Sequence, residues 1–198
     1  MDTVQEADLA AAPLMASSVR ERVVDLTHPF VSISVAALMK KRHSTQLGIH
    51  SIDDLSRQST MKYGTFAGGL INDYLRTSPQ PVYQRMWAEM AAANNSSVSN
   101  PDEAIRRVLA SSDEHPWAFV GLSAYLSYIA TTHRCDLTVV TSDVLWFHYA
   151  FALPVGSPYT ERLNIAIMEM RESHYLEMLR MRWFQSADCD HSANDAAK

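Results

Sequence analysis

Residues 7–30, ADLAAAPLMASSVRERVVDLTHPF, constrain the fold most, because two kinds of local structure follow each other in one short stretch. Residues 9–12 form an apolar, strand-like run, which is interrupted at Pro13. The Ser-x-x-Glu pattern from Ser18 to Glu21 is a capping box and predicts that a helix begins there. Pro29 predicts where that helix ends.

This helix would place Arg20 in its first turn, where unpaired backbone N–H groups and the positive end of the helix dipole disfavour a cation. An anion site would explain the arrangement, because a guanidinium beside free N–H groups suits a carboxylate held by two hydrogen bonds. The alternative is a solvated arginine that pairs with a nearby acidic residue. The residues alone leave both interpretations open.

The composition is that of a globular protein. The chain has 198 residues, of which 47% are hydrophobic and 20% charged, so one domain or two small lobes can bury a core. Its net charge of -5 argues against nucleic acid and against an anionic membrane surface as partners. The acidic N-terminus does not resemble a signal peptide, and no apolar run approaches the roughly 18 residues of a membrane span. We therefore expect the chain as written to be soluble.

The rest of the chain alternates between strand-like and helix-like segments, which predicts an α/β fold. Residues 42–49 lack periodicity and are predicted to be a linker, and Ser157 and Pro158 are predicted to be the N-cap and first residue of a helix. The predicted strands cover residues 31–41, 61–66, 117–121, 137–140 and 145–153. The predicted helices cover residues 53–58, 70–76, 102–109, 123–133 and 175–183, with further helical patterns starting at residues 82 and 158.

Several stretches resemble, in the same order, the extracellular ligand-binding domain of ionotropic glutamate receptors of the AMPA and kainate type. They cover nearly the whole chain: residues 7–30, SIDDLSRQ, YGTFAGG, VYQRMWAEM, SNPDEAIRRVL, CDL, and PVGSPYTERLNIAIMEM through MRWFQSADC. The resemblance implies a periplasmic-binding-protein-like clamp of two lobes. In this family, closure of the clamp on a ligand opens a membrane pore.

The same resemblance implies a division of the chain. Residues 1–30 would be a remnant of lobe one, residues 31–150 a nearly complete lobe two, residues 151–189 the C-terminal helices of lobe one, and residues 190–198 a polar tail. The pore region that separates the two halves in the family is absent here, so contact with a membrane would require a region outside this chain. The family places such a domain on the extracellular face of the plasma membrane.

Three residues match the family's contacts to the ligand backbone. Arg20 falls on the arginine that grips the α-carboxylate, and Pro13 on the proline whose carbonyl meets the α-amino group. Met15 stands where the family usually has a small residue such as Thr, and its backbone N–H could still donate. The resemblance therefore implies a small amino-acid-like or other carboxylate ligand.

Three further positions depart from the family. Leu70 and Ile71 stand where a small residue and a hydroxyl residue begin the helix that holds the ligand's side-chain carboxylate. The acid that pairs with the α-ammonium aligns with Leu122, or with Ser123 if the alignment slips by one residue. These departures cast doubt on glutamate itself as the ligand.

The two cysteines allow two interpretations. The family forms a disulfide between positions that Cys135 and Cys189 match, which implies an oxidising compartment. The rival is a zinc site built from His133-x-Cys135 and Cys189-x-His191, although these spacings differ from those of common zinc motifs. The Asn95-Ser96-Ser97 tripeptide is a candidate glycosylation site, which also suits the outside of the cell.

No pattern indicates an enzyme: we find no nucleophile triad, P-loop or dinucleotide motif, and predict no catalytic residue, metal or cofactor. Three functions are then compatible with the sequence. The first is the ligand-binding domain of a glutamate receptor-like cation channel, whose partners are homo- or hetero-oligomeric receptor subunits. The second is an orphan or chemosensory ionotropic receptor that glutamate does not gate. The third is a soluble decoy or interaction fragment without a ligand of its own.

Overall fold

The computed structural model describes residues 7–93, 96–133 and 136–184, which form a mixed α/β fold with two compact units. The first unit contains the described residues up to Ile33 together with Trp146–Trp183. The second is built on Ser34–Leu145.

Seven strands among the described residues form one mixed sheet in the order β1-β7-β3-β6-β4-β5, with β2 also paired to β7. Strand β4 pairs in parallel with β5 and β6, whereas β3 with β6, and β1 and β2 with β7, pair antiparallel. The strands are β1 (Ala10–Met15), β2 (Asp25–Leu26), β3 (Val31–Lys40), β4 (Lys62–Phe66), β5 (Ser97–Val98), β6 (Trp117–Leu122) and β7 (Leu137–Leu153).

Helices α1 to α6 lie between these strands in the chain and α7 and α8 follow β7, an alternation that the sequence predicted. They are α1 (Lys41–Leu47), α2 (Ile52–Arg57), α3 (Leu70–Thr77), α4 (Pro81–Ala92), α5 (Pro101–Ala110), α6 (Ser123–His133), α7 (Thr160–Glu172) and α8 (Tyr175–Phe184). No helix among the described residues combines the length and the apolarity that a membrane crossing requires.

In the first unit, β1 continues through Pro13 to Met15 rather than breaking at the proline. The pairing of β1 with β7 is irregular between Ala10 and Leu14. Pro13 therefore lies in an irregular part of β1, the strand at one end of the sheet order. A proline lacks the N–H that a ladder needs, and bulges and edge strands are where sheets tolerate it.

The predicted capping box and its helix are wrong. Only one 3-10 turn, Arg20–Arg22, forms, and its N-cap, Val19, makes no side-chain capping bond. Ser17, not Ser18, accepts a hydrogen bond from the backbone of Arg20, at 3.4 Å. The chain then pairs as β2 with the end of β7, so strand pairing outweighs the local helical preference.

The predicted start of the helix after residue 157 is also displaced. Helix α7 begins at Thr160, and its N-cap, Tyr159, makes no side-chain capping bond. Ser157 instead forms a turn before the helix, because its hydroxyl accepts from the Tyr159 N–H at 3.4 Å and its carbonyl from the Thr160 N–H at 3.4 Å.

In the second unit, the predicted linker over residues 42–49 is wrong because this stretch contains α1. The buried side chains of that helix are His43 and Ser44, and the Ser44 hydroxyl donates to the Ile49 carbonyl at 2.5 Å. The buried face is therefore polar and gave no apolar period to detect. Gly48 ends the helix in the left-handed region, with φ 63°.

The core of the second unit supports the ends of β4 and β6 and the start of α6. The ring of Phe119 on β6 is buried and meets Phe66 at the end of β4 edge-on, with centroids 4.8 Å apart. Leu126 on α6 is buried in the same cluster. Close packing of this kind fixes the backbone at the ends of β4 and β6 and at the start of α6.

Candidate functional site

The first unit holds Arg20 beside β1. Its Nη1 donates to the backbone carbonyl oxygen of Met15 at 2.5 Å, while the side chain stays exposed. Pro13, two residues before Met15 on the same strand, is exposed as well. Of the three residues predicted to meet a ligand backbone, Arg20 and Met15 are therefore in direct contact, and Pro13 lies on the same strand as Met15.

Arg20 has no ion-pair partner in the part of the chain that the structure describes. No acidic side chain there lies within 4.0 Å of its guanidinium. Its remaining N–H donors are therefore not engaged by a described carboxylate, and a guanidinium with free donors binds carboxylates in a bidentate manner. Among the described residues, the Arg20 guanidinium is thus exposed to solvent and forms an ion pair with no acidic side chain.

In the second unit, a tight turn fixes the start of α3. Gly68 has φ 63°, a conformation that favours glycine, and the Gly69 N–H donates to the Phe66 carbonyl at 3.2 Å. A β-carbon on Gly69 would lie 3.2 Å from that of Phe66. Glycine at both positions lets the chain reverse tightly, which sets Leu70 and Ile71 as the first two helical residues.

A pocket of about 310 Å³ opens at this helix start, within the second unit. It brings together the three positions that depart from the family pattern, namely Leu70, Ile71 and Leu122. Leu70 is 47% exposed and Ile71 is 6% exposed, so the first forms part of the rim and the second part of the wall. The remaining lining residues are also uncharged types: Thr65, Phe66, Gly69, Pro101, Gly121 and Tyr125.

Leu122 and Ser123, the two residues that align with the family's acid, have different surroundings in the structure. Leu122, the last residue of β6, pairs with Val35 and lines the pocket. Ser123 instead accepts a hydrogen bond from the backbone N–H of Ser34, at 3.0 Å. The serine hydroxyl therefore has a structural partner, and the side chain at the pocket is aliphatic.

The charged group that acts on this pocket, Asp102, is not one of its lining residues. Burial is the main cause that raises the pKa of the Tyr125 phenol, and the carboxylate of Asp102 raises it further. The phenol is therefore uncharged at neutral pH, and the nearby ionised group that acts on it is negative. None of the lining residues carries a positive charge that could pair with an anion.

Sequence reasoning missed several lining residues of this pocket. Thr65, Phe66 and Tyr125 reach it because β4 and α6 start or end beside α3, a placement that no local pattern encodes. The available signal was the Gly68-Gly69 pair, which marks a close turn before a helix.

The other predicted sites lie outside the described residues. Cys135, Cys189 and Asn95 are not described, so neither the disulfide, nor the zinc alternative, nor glycosylation can be placed. Within the described residues, no three His, Cys, Asp or Glu side chains are grouped so that they could hold a metal ion.

Comparison with known proteins relates the chain to one family of receptors. No protein-family model matches it. It is 33% identical over 148 residues to a glutamate receptor of Lymnaea stagnalis and 31% identical over 150 residues to the human glutamate receptor ionotropic, kainate 1. These alignments cover 74% and 75% of this chain, which spans 16% of the length of either relative.

A solved structure agrees with this relationship. The complex of Drosophila muscle GluRIIB with glutamate superposes with a TM-score of 0.70 at 26% identity, covering 91% of this chain and 69% of that chain. Its fold matches the mixed α/β sheet described above. The chain is therefore a homologue of the ligand-binding region of kainate-like ionotropic glutamate receptors, which are receptors and not enzymes.

Proposed function

We propose that this chain serves as the ligand-binding region of an ionotropic glutamate receptor-like cation channel and binds a small ligand that carries a carboxylate. The unit built on Ser34–Leu145 corresponds in this proposal to lobe two of the receptor clamp. Residues 1–30 and 151–189 correspond to parts of lobe one. Ligand capture closes the clamp and gates the pore of the parent receptor.

The observation that carries this proposal is the state of Arg20. One guanidinium nitrogen is held by the Met15 carbonyl, the side chain is exposed, and no described acidic residue pairs with it. Such an arginine is oriented by the protein yet retains donors for a ligand carboxylate. The solved relative is named as a complex with glutamate, a ligand of this chemical class.

The proposal extends to the surroundings of the domain. A receptor of this kind works as an assembly of identical or different subunits, and it reaches the membrane through a pore region that this chain lacks. The ligand-binding region then faces the outside of the cell. The proposed glycosylation at Asn95 and the proposed disulfide between Cys135 and Cys189 suit that location.

Calorimetry on the full chain, with L-glutamate, L-leucine and glycine as probes, tests the role of Arg20. We expect Arg20→Ala to weaken the tightest-binding probe by at least about 2 kcal/mol, roughly thirtyfold, because a charge-assisted contact is lost. Arg22→Ala is the matched control, since Arg22 belongs to the same turn and is also exposed. The proposal would be contradicted if the two substitutions weakened probe binding equally, or if neither changed the affinity.

A second candidate, an orphan or chemosensory receptor that glutamate does not gate, is favoured by one specific observation. The residues at the start of α3 and the end of β6 that line the pocket are aliphatic, where the family uses polar groups. The same calorimetry separates the candidates, because a glutamate-gated receptor must bind L-glutamate more tightly than L-leucine.

A further inference from the structure

We propose that His43 acts as a proton-operated latch, which holds α1 against the loop after α5, residues 111–116, while its imidazole is neutral and releases the helix when the imidazole takes up a proton. The released segment lies between two buried apolar residues, Met39 and Ile49, which keep its ends in place. All of these residues belong to the second unit, and the latch does not depend on ligand binding.

Helix α1 is held in place without a buried apolar side chain of its own. Its two buried side chains are those of His43 and Ser44, whereas Leu47 is 37% exposed. Helices in proteins are stabilised mainly by packing of an apolar face, so α1 gains little from this source. A change of charge on one buried side chain can therefore release α1 while the apolar core of the unit stays closed.

The surroundings of the imidazole disfavour a positive charge on it. Its side chain is 1% exposed, and Nε2 lies 3.3 Å from Asp113 Oδ1 without the alignment of a hydrogen bond. Arg42 Nη2 approaches the same carboxylate oxygen at 2.8 Å, so the carboxylate is shared. Lys40, whose Nζ donates to the Ser111 carbonyl at 2.7 Å, is the other charged group of the described residues that acts on the ring.

The balance of these groups sets the direction of the latch. Burial lowers the pKa of His43 most, Lys40 and Arg42 lower it further, and the Asp113 carboxylate opposes them. An imidazole with a lower pKa in the closed form than in water binds a proton more strongly once it is exposed, so protonation favours release of α1. Release therefore begins as the pH falls below about 6.5, the ordinary pKa of histidine.

Hydrogen exchange of the full chain at pH 7.5 and 5.0, corrected for the intrinsic effect of pH on amide exchange, tests the inference. We expect the protection of the amides of residues 45–49 to fall by at least about threefold between these pH values. Helix α5 should retain its protection, because it buries Ala104 and Val108. His43→Gln keeps a polar side chain but removes the titrating group, so it should abolish the fall in α1.

Two substitutions that break the same ion pair should change this fall in opposite directions. Arg42→Gln removes a cation near the ring and leaves the Asp113 carboxylate to the imidazole alone, so the fall should become smaller. Asp113→Asn removes the carboxylate that favours the imidazolium, so the fall should become larger. If the ion pair had only a structural role, each substitution would change the protection of α1 by the same factor at both pH values.

Three results would overturn the inference. The first is full protection of α1 at pH 5.0 in the wild type, and the second is a joint loss of protection in α1 and α5. The third is a change of the fall in the same direction by Arg42→Gln and Asp113→Asn. If His43→Gln does not fold, these two substitutions still decide, because both leave the imidazole in place.

Discussion

The phenolic oxygen of Tyr83 lies 2.7 Å from the hydroxyl oxygen of Ser142, and both side chains are buried. Tyr83 is on α4 and Ser142 is on β7, so this hydrogen bond joins two elements that are 59 residues apart in the chain. Burial is the main cause that raises the pKa of Tyr83. Its phenol therefore stays protonated and able to donate at neutral pH.

We expect Tyr83→Phe to destabilise the protein by about 1–2 kcal/mol, because Ser142 loses a buried partner. Tyr63→Phe is the matched control. Tyr63 is only 4% exposed, yet its hydroxyl has no hydrogen-bond partner among the described residues, so its removal should be neutral or stabilising. Urea unfolding of the two variants measures the difference, and equal losses of stability would contradict the assignment.

The imidazole of His43 is buried, yet its ring nitrogens lack hydrogen-bond partners among the described residues. Its Nε2 lies 3.3 Å from Asp113 Oδ1 without the alignment of a hydrogen bond, and neither ring nitrogen has such a bond to a described residue. Burial is the main cause that lowers the pKa of His43; Lys40 and Arg42 lower it further, and Asp113 opposes them. The folded protein therefore favours the neutral imidazole.

We expect His43 to make the protein less stable in mild acid. Its pKa is lower in the folded state than in the unfolded state, so its contribution is fully present above pH about 6.5 and is lost as the pH falls from there through the folded-state pKa. Urea unfolding between pH 7.5 and 5.0 should show a smaller acid-side loss of stability in His43→Leu than in the wild type. His50→Leu removes an exposed imidazole and should retain the full loss. The prediction would be contradicted if His43→Leu lost as much stability in acid as the wild type.

The sequence predicted the elements whose apolar pattern matches their burial. Helix α6 has the predicted bounds, and β6 ends one residue later than predicted, because a buried apolar run there passes directly into a helix at Ser123. Helix α1 was missed because its buried positions are His43 and Ser44, which look like loop residues. The stretch after Ser18 was misassigned because β2 gains its stability from pairing with β7, a contact distant in sequence.

The candidate site likewise contains residues that the sequence indicated and residues that only the structure reveals. Arg20 stood out in the sequence because a cation is unfavourable at the start of the predicted helix, although the turn that forms is much shorter than that helix. Leu70, Ile71 and Leu122 were identified through the resemblance to a family and not through a local signal. The structure adds that these three residues share a pocket with Phe66 and Tyr125, which depends on packing between elements.

A disulfide between Cys135 and Cys189 is a further prediction, and it rests on the family resemblance alone because both residues lie outside the described ranges. Such a bond would close a long loop and stabilise the fold by about 4 kcal/mol in the chain-entropy model, with less expected in practice. Peptide mass mapping without reductant, on protein made in an oxidising compartment, should recover the linked peptides. Two free thiols, or a stoichiometric zinc ion removed by EDTA, would point to the alternative.

Gly64 lies on β4 at a point where another strand approaches closely. A β-carbon at this position would lie 1.9 Å from the backbone oxygen of Ser96, which itself accepts a hydrogen bond from the Thr65 N–H at 3.0 Å. Backbone cannot give way as a flexible side chain can, so Gly64→Ala must displace β5 from β4. We expect a loss of stability of about 3 kcal/mol, at the upper end for an overpacked site.

Gly121→Ala is the control for that substitution. The nearest atom to its β-carbon would be Cε1 of Phe119 at 3.4 Å, an ordinary van der Waals contact, and its backbone does not have a positive φ. Its stability should therefore stay within about 1 kcal/mol of the wild type, since the alanine also restricts the unfolded chain. Urea unfolding measures both variants at the same pH. If Gly64→Ala were no more destabilising than Gly121→Ala, Ser96 could not lie as close to β4 as the structure places it, and the parallel pairing of β4 with β5 would have to be revised.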